Sequence, residues 1–316
     1  MTGWPQVVGN LELDFAWFAR SGSEGAADVG VIIERRRPDL DALGDPVASF
    51  VTPRNVVYQD GGRTVVDYFG QAVSLLDRDR DRVVIQGERE HVVYQAAYLF
   101  LLSRVGQHLD ARGLPRLHGL GMVGGQGGVV VMLPSGGGKS ALALQALRSS
   151  EAMLVSEDSP LIDRRGMMHP FPLRIGIHPA EAESLPNGHL RRIERLELGA
   201  KMALEVEAFA DRIATQPEPL RHIVIGTRSL GRGARLEAAP RAAALGPLLR
   251  EAVVGVGIYQ GMEFVLRRGM RDVLRHADTA LTRALSCAGV LGRAKVWRLQ
   301  TGRDRERNWA ALQPLL

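Results

Sequence analysis

The chain has 316 residues, of which 45% are hydrophobic and 24% are charged, and this balance is typical of a globular protein. Its formal net charge of +5 is too small and too dispersed to indicate a nucleic-acid-binding surface. The longest apolar run, residues 96–102, is too short to cross a membrane, and the first residues lack the pattern of a signal peptide. We therefore expect a cytoplasmic protein whose partner is neither a nucleic acid nor a membrane.

Cysteine and lysine are both scarce. Cys287 is the single cysteine, which excludes an intramolecular disulfide and a cysteine-clustered zinc site, and we expect it to be a buried small apolar residue. The 40 basic residues include only three lysines, Lys139, Lys201 and Lys295. Because arginine has replaced lysine almost everywhere, each remaining lysine is a candidate for a role that requires a compact ammonium group.

The first 95 residues read as β-rich. Two Val- and Tyr-rich runs flank Asp60-Gly61-Gly62, which predicts a hairpin over residues 56–68 because glycine accepts positive φ. Residues 73–77 and 82–86 predict a second pair of strands around a solvated turn. Apolar residues then recur at helical spacing from 91 to 111. We predict a β-rich N-terminal lobe over residues 1–95 and a second domain over 96–316.

The rest of the chain alternates strand and helix patterns. Two apolar segments around a glycine-rich turn occupy the stretch that ends at Leu133, and residues 152–163 read as another strand that ends in acidic residues. Further strands are predicted at 219–227 and 295–300. Helices are predicted at 191–200, 242–253, 271–288 and up to the C-terminus.

The clearest motif is a glycine-rich loop between a predicted strand and a predicted helix. Consecutive glycines let main-chain N–H groups converge on one anion, and the helix that follows presents its positive end. In such a loop the lysine reaches the β- and γ-phosphates and the serine binds Mg²⁺. The first glycine of the general G-x-x-x-x-G-K-S pattern is replaced here by Leu133. The predicted phosphate-binding residues are Ser135, Gly136, Gly137, Gly138, Lys139, Ser140 and Ala141.

Two adjacent carboxylates follow the next predicted strand. Glu157 and Asp158 come 18 and 19 residues after Lys139, the separation at which a strand–helix–strand unit returns the chain to a parallel neighbour. Adjacent side chains at a strand end point in different directions. One carboxylate is then available to Mg²⁺, directly or through water, and the other to a proton from an attacking hydroxyl. The alternative is that this Glu-Asp-Ser-Pro segment is only a turn or a helix cap.

His118 precedes Lys139 by 21 residues and is placed, with Gly119, on the strand that precedes the strand 127–133. A histidine in such a position is either a packed core side chain or part of the site. By itself the sequence leaves both readings open.

Together, His118-Gly119, the S-G-x-G-K-S loop and the acidic pair resemble the catalytic core of HPr kinase/phosphorylase and its relatives, which include kinases of lasso-type ribosomal peptides. The resemblance is strong over residues 112–178 and general beyond them, and it does not securely cover residues 1–95. It implies an α/β fold with a P-loop-containing mixed sheet of the HPr kinase/PEP carboxykinase-like type. The β-rich N-terminal lobe is then a candidate for acceptor recognition.

The resemblance also implies site roles. Glu157 or Asp158 is the proton acceptor, Ser140 and Glu157 are candidate Mg²⁺ ligands, and His118 lies near the transferred phosphoryl group. Arg174 is either a phosphate contact or a surface salt-bridge residue. Lys201 reaches the nucleotide from a loop after the helix predicted at 191–200. This sequence has Glu-Asp where the bacterial family has two aspartates, and it lacks the glutamate that precedes the family's equivalent of Arg174.

The function predicted on these grounds is an ATP- and Mg²⁺-dependent kinase of the serine kinase type. It transfers a phosphoryl group to a hydroxyl, with a serine of a peptide or small protein as the first choice. A small-molecule hydroxyl kinase and a non-catalytic ATP-responsive binding protein are the alternatives. Because HPr kinases are hexamers, the resemblance implies a homo-oligomer, although no segment of the sequence requires an interface.

Overall fold

The computed structural model shows a mixed α/β protein and describes residues 1–20, 27–134, 136–182, 185, 188–196, 199–255, 261–265 and 270–316. The chain forms two compact units. Unit 1 comprises residues 1–105, 178–205 and 260–273, and unit 2 comprises residues 106–177, 206–259 and 274–316. Each unit is therefore built from three separate segments of the chain. The boundary predicted between residues 95 and 96 falls inside a helix, α2 (Glu90–Ala111).

Unit 1 contains a seven-stranded sheet in the order β1-β2-β7-β6-β5-β4-β3. Strands β3 to β7 form an antiparallel meander, and β1 and β2 add to β7 as parallel neighbours. Both predicted strand pairs are confirmed, and Gly61 has a φ of +54° in the first turn. The strands are β1 (Thr2–Gly3), β2 (Gly30–Arg35), β3 (Ala48–Val51), β4 (Val56–Asp60), β5 (Arg63–Asp67), β6 (Ala72–Asp77) and β7 (Arg82–Gly87).

The core of unit 1 lies between this sheet and two helices, α1 (Pro5–Asp14) and α2. Alternate residues of β7, Val83 and Ile85, are buried, as expected for a strand with one face towards a core. Phe100 of α2 is buried in the same cluster. The helical spacing that predicted α2 is thus the spacing of its buried face.

The predicted helix at 191–200 is wrong. This segment contains β14 (Leu190–Arg195), which pairs antiparallel with β15 (Gly199–Leu204) in unit 1. Ile193 is buried between exposed neighbours, which is a period of two rather than a helical period. Gly199 has a φ of +68°, a conformation that favours glycine in a turn. Unit 1 also contains two short helices, α4 (Pro179–Ala182) and α6 (Met262–Val265).

Unit 2 contains an eight-stranded mixed sheet. Its main path runs β10-β8-β9-β16-β12-β11, and β18 pairs with both β16 and β17. Strands β9, β16 and β18 are parallel, whereas β8 and β9 form the predicted antiparallel hairpin. The strands are β8 (Leu120–Gly124), β9 (Gly127–Met132), β10 (Met153–Ser156), β11 (Leu161–Ile162), β12 (Met167–His169), β16 (Glu218–Arg228), β17 (Arg235–Ala239) and β18 (Lys295–Thr301); β13 (Ile175–Ile177) lies outside the main path.

Strand β9 is buried on both faces. Val130 and Met132 belong to the same core cluster as Leu248 and Cys287, so helical segments cover one face. The predicted burial of Cys287 is confirmed, since the residue is 6% exposed. The helices associated with this unit are α3 (Lys139–Arg148), α5 (Leu245–Leu248), α7 (Met270–Arg293), whose first residues belong to unit 1, and α8 (Arg305–Leu312).

The helix predicted at 242–253 is divided into three helical forms. A 3₁₀ segment covers Arg241–Ala244, α5 follows, and a π-helical segment covers Leu249–Gly255. Pro247 within α5 removes one main-chain donor, which interrupts a continuous α-helical hydrogen-bond ladder. Among the described residues, no helix combines the length and hydropathy needed to cross a lipid bilayer.

Candidate functional site

The glycine-rich loop joins the end of β9 to the start of α3, as predicted. Gly136 and Gly138 have φ values of +72° and +103°, a region that side chains with a Cβ rarely adopt. A Cβ on Gly137 would lie 2.8 Å from the carbonyl oxygen of Pro134. All three glycines are therefore required by the path of the main chain. The predicted contribution of Ser135 lies outside the described residues.

Leu133, which departs from the general loop pattern, is accommodated by the adjacent strand. Its side chain is buried and lies against Gly226 of β16, where a Cβ would come within 2.3 Å of a Leu133 methyl carbon. Leu133 takes the place of the first glycine of the motif, and Gly226 on the neighbouring strand leaves space for its side chain. The close approach lets β9 continue into the loop without displacing β16.

Helix α3 begins immediately after the loop. Gly138 is its N-cap and offers no side chain to the first-turn amides, and the Leu142 N–H donates to the Gly138 carbonyl oxygen at 3.0 Å. The first amides of a helix have no partner within the helix, and the helix dipole adds partial positive charge there. The Lys139–Ala141 turn therefore presents an anion-attracting end to the loop.

Lys139 lies at the centre of a polar cluster. Its Nζ is 2.9 Å from His118 Nε2, 3.1 Å from the Leu133 carbonyl oxygen and 3.8 Å from Asp158 Oδ1. Although the residue is only 8% exposed, the side chain of Asp158 is 38% exposed. The cluster therefore has a buried cation and a carboxylate that solvent reaches.

The ring of His118 connects the other two members. Its Nδ1 lies 3.5 Å from Asp158 Oδ1. An ammonium group can only donate, so Nε2 facing Lys139 accepts, and the neutral ring then carries its proton on Nδ1, facing Asp158. This arrangement brings together three of the residues predicted from sequence, and it favours the functional reading of His118 over that of a packed core side chain.

Main-chain hydrogen bonds fix the position of His118. The N–H groups of Leu117 and Gly119 donate to the carbonyl oxygens of Pro160 and Asp158 at 2.9 and 3.0 Å, and the His118 N–H donates to the Glu251 carbonyl oxygen at 3.2 Å. His118 therefore lies two residues before β8 rather than on the strand, which corrects the prediction. The main-chain acceptors at Leu133 and Glu251 were not predicted, because a sequence pattern does not show which carbonyl groups face a site.

Glu157 and Asp158 diverge from the end of β10, as predicted for adjacent residues. Ser140 Oγ donates to Glu157 Oε1 at 2.6 Å, whereas Asp158 faces His118 and Lys139. The predicted adjacency of the two parallel strands is wrong, because β8 lies between β9 and β10 and is antiparallel to both. The two strands still run in the same direction, so their carboxyl ends reach the same edge of the sheet.

The oxygen atoms of Ser140 and Glu157 suit one magnesium ion. Mg²⁺ binds oxygen at about 2.1 Å in octahedral geometry, which places adjacent ligands about 3 Å apart. The observed separation of 2.6 Å requires only a small adjustment. Among the described residues, no group of three or more His, Cys, Asp or Glu side chains could hold a metal ion. An ion at this position would therefore complete its coordination with phosphate oxygens or water.

Arg174 and Lys201 were also predicted to contact the nucleotide. Arg174 is half-buried and directly precedes β13 in unit 2. Lys201 lies on β15 in unit 1 and not in a loop after a helix, which corrects the predicted setting. The contact of either residue with a nucleotide stays a prediction.

One residue beside the loop was missed. Arg228 ends β16, and its Nη1 donates to the Gly136 carbonyl oxygen at 2.6 Å. The sequence did carry a signal, since Arg228 directly follows the strand predicted at 219–227, and the loops after parallel strands lie at one edge of a sheet.

No known protein-family model matches this sequence, and no curated protein is significantly similar to it.

Proposed function

We propose that the protein is a cytoplasmic, ATP- and Mg²⁺-dependent kinase with a nucleotide-binding unit of the HPr kinase-like type. The observation that carries the proposal is that two consecutive residues at the start of α3 contact three other predicted site residues. Lys139 meets His118 and Asp158, and Ser140 meets Glu157. The three glycines alone could serve only the path of the main chain. A lysine, a hydroxyl and two differently directed carboxylates around them are the groups that phosphoryl transfer uses.

In this proposal the loop and α3 bind the triphosphate. The first-turn amides and the Lys139 ammonium face the β- and γ-phosphates, and Ser140 and Glu157 hold the magnesium ion. When bound, that ion neutralises charge on the phosphate oxygens during transfer. Before nucleotide binds, Lys139 is kept in place by His118 and by the Leu133 carbonyl oxygen. The site is thus preorganised for charge that develops in the transition state.

Asp158 is the proton acceptor for the attacking hydroxyl. Its side chain is more exposed than Lys139, so an acceptor can reach it. The hydroxyl oxygen bonds to the γ-phosphorus, the bond from that phosphorus to the β–γ bridging oxygen breaks, and ADP leaves. The hydroxyl proton passes to Asp158, which His118 orients through its Nδ1 side.

A serine of a peptide or small protein is the proposed acceptor, following the family resemblance. Radiolabelled ATP with Mg²⁺ should be offered separately to a library of serine-containing peptides and to a pool of hydroxyl metabolites. We expect labelled peptide with the wild-type chain, and a loss of at least about 10³-fold with Lys139→Ala. Lys295→Ala, which removes an exposed lysine at the start of β18, is the matched control.

The outcomes separate the candidate functions. Near-normal transfer by Lys139→Ala would show that the loop has been assigned wrongly. Label in a metabolite alone would indicate a small-molecule kinase on the same core. Saturable ATP binding with no phosphorylated product from any acceptor would indicate a nucleotide-responsive binding protein.

A further inference from the structure

Arg228 is a charged residue beside the glycine-rich loop, and the proposed mechanism gives it no role. Its side chain is exposed, and its Nη1 donates to the Gly136 carbonyl oxygen at 2.6 Å. Within the described part of the chain, Arg228 forms an ion pair with no carboxylate, in contrast to Arg235, which pairs with Glu237. A guanidinium group has five N–H donors, and a single carbonyl oxygen uses a small part of that capacity.

The sheet fixes the main chain at Arg228. Ile225 pairs with Met132 in the parallel β9–β16 register, so β16 ends beside the end of β9, and the Arg228 side chain reaches the Gly136 carbonyl oxygen. On its other side Arg228 pairs in register with Thr301 of β18, and the Ser229 N–H donates to the Thr301 carbonyl oxygen at 2.8 Å. Two neighbouring strands therefore fix the main chain from which the Arg228 side chain reaches the loop.

The charge balance of the site calls for another cation. Glu157 and Asp158 carry two negative charges against the single positive charge of Lys139, and the positive end of α3 adds about half an elementary charge. A magnesium-bound nucleoside triphosphate is itself a net anion. Without a further cation, this anion would meet three side chains, Lys139, Glu157 and Asp158, whose summed charge is negative.

We infer that Arg228 is the second phosphate-binding cation of this site. The inference rests on the proposed function and deepens it, since it assigns part of the affinity for the triphosphate to β16. On nucleotide binding the guanidinium exchanges a hydrogen bond to a neutral carbonyl group for charge-assisted, bidentate contacts with phosphate oxygens.

The test uses calorimetric titration of the full chain with MgATP and with adenosine. Arg228→Gln removes the charge but keeps an N–H donor for the Gly136 carbonyl oxygen, whereas Arg228→Lys keeps the charge and loses the planar fork. The matched control is Arg221→Gln, which removes an exposed arginine from the opposite end of the same strand. Melting temperatures of all variants are measured alongside.

We expect Arg228→Gln to weaken MgATP binding by about tenfold to a hundredfold. Arg228→Lys should recover most of this loss, and neither Arg221→Gln nor the binding of adenosine should change. If Arg228→Gln binds MgATP as tightly as the wild-type chain, or if the lysine variant loses as much affinity as the glutamine variant, the inference is overturned and the proposed function stands. If the wild-type chain binds no nucleotide, both are overturned.

Discussion

Two ionic clusters in unit 2 are built from similar groups and differ in how tightly they are closed. Arg283 of α7 forms a bidentate pair with Asp110 of α2, with N–O distances of 3.0 and 2.6 Å, and both side chains are 8% exposed. Around Lys139, the ionic distance to Asp158 is 3.8 Å and the carboxylate is 38% exposed. The first pair is short and sealed, whereas the second is long and open to solvent.

The difference indicates what each cluster does. Arg283 also donates to the Val253 carbonyl oxygen at 3.1 Å, so it ties the end of α2, a helical segment and α7 into one arrangement. Each of its three side-chain nitrogen atoms already donates to a protein oxygen. Lys139 is held by one short contact to a ring nitrogen and by a carbonyl group, and both can be exchanged for phosphate oxygens. Removing one partner of a sealed ion pair leaves a buried charge uncompensated, so such a pair acts on folding, whereas an open one can bind a ligand.

The largest expected effect is on catalysis at the open cluster. Asp158→Asn keeps the shape of the side chain but removes the proposed proton acceptor, so we expect the turnover number to fall by about 10²- to 10⁴-fold. MgATP affinity should change little, because in the proposed site the phosphates meet Lys139 and the first turn of α3. Single-turnover kinetics and nucleotide titration measure the two quantities.

Glu157→Gln is the matched variant for this prediction, because it changes the adjacent carboxylate in the same way. We expect it to raise the Mg²⁺ concentration needed for half-maximal activity, since Ser140 and Glu157 are the proposed ligands. Equal and mild losses of turnover in both variants would contradict a division of labour between the two carboxylates.

At the sealed cluster the effect should be on folding. Arg283→Leu leaves the Asp110 carboxylate buried without its partner, so we expect the free energy of unfolding to fall by about 3–5 kcal/mol in denaturant titration. The double variant Arg283→Leu/Asp110→Leu should recover much of this loss, because it removes both charges. A loss below about 1 kcal/mol in the single variant would show that the folded protein does not depend on this pair.

A smaller effect is expected where the sheet accommodates the loop. Gly226→Ala brings a Cβ against the buried Leu133 side chain, so we expect a loss of about 1–3 kcal/mol in unfolding free energy. Leu133→Ala alone leaves a cavity and should cost about 2–4 kcal/mol. In the double variant the new methyl group fills part of the vacated space. Additive losses in this double-mutant cycle would mean that the two positions are not coupled.

The strand, loop and helix around Lys139 could be predicted because each is dictated locally. The apolar run of β9, the three glycines and the helix formers after Lys139 specify their own conformations. The opposite directions of Glu157 and Asp158 follow from their adjacency in the chain.

Other features depend on distant partners. Strand β8 lies between β9 and β10. Its insertion does not change the direction of either strand, so the residues of β9 and β10 carry no sign of it. The segment of β14 has residues with good helix propensity, and its pairing with β15 outweighs that preference. Arg228 approaches the loop through strand pairing across about 90 residues of sequence, as in parallel sheets generally. These features arise from tertiary contacts, which local sequence motifs do not predict.

The last expected effect is chemical and reports on the surroundings of Arg283 and Cys287. Burial raises the pKa of the Cys287 thiol to about 11, and the nearby Arg283 guanidinium offsets only part of that rise. An unfolded thiol has a pKa of about 8.5, so at pH 8 the folded protein should have roughly two hundredfold less thiolate. Because the folded-state pKa is the higher one, the associated stability is complete below about pH 8.5 and is lost as the pH rises towards 11.

Alkylation of Cys287 at pH 8, followed by mass spectrometry, measures this effect. We expect slow labelling of the wild-type chain and of Lys139→Ala, and rapid labelling in denaturant. Arg283→Leu should label faster than the wild-type chain, since loss of the ion pair raises the population of open states. If Lys139→Ala accelerated labelling as much as Arg283→Leu, the two clusters would form one structural unit, and the distinction between a sealed and an open cluster would fail.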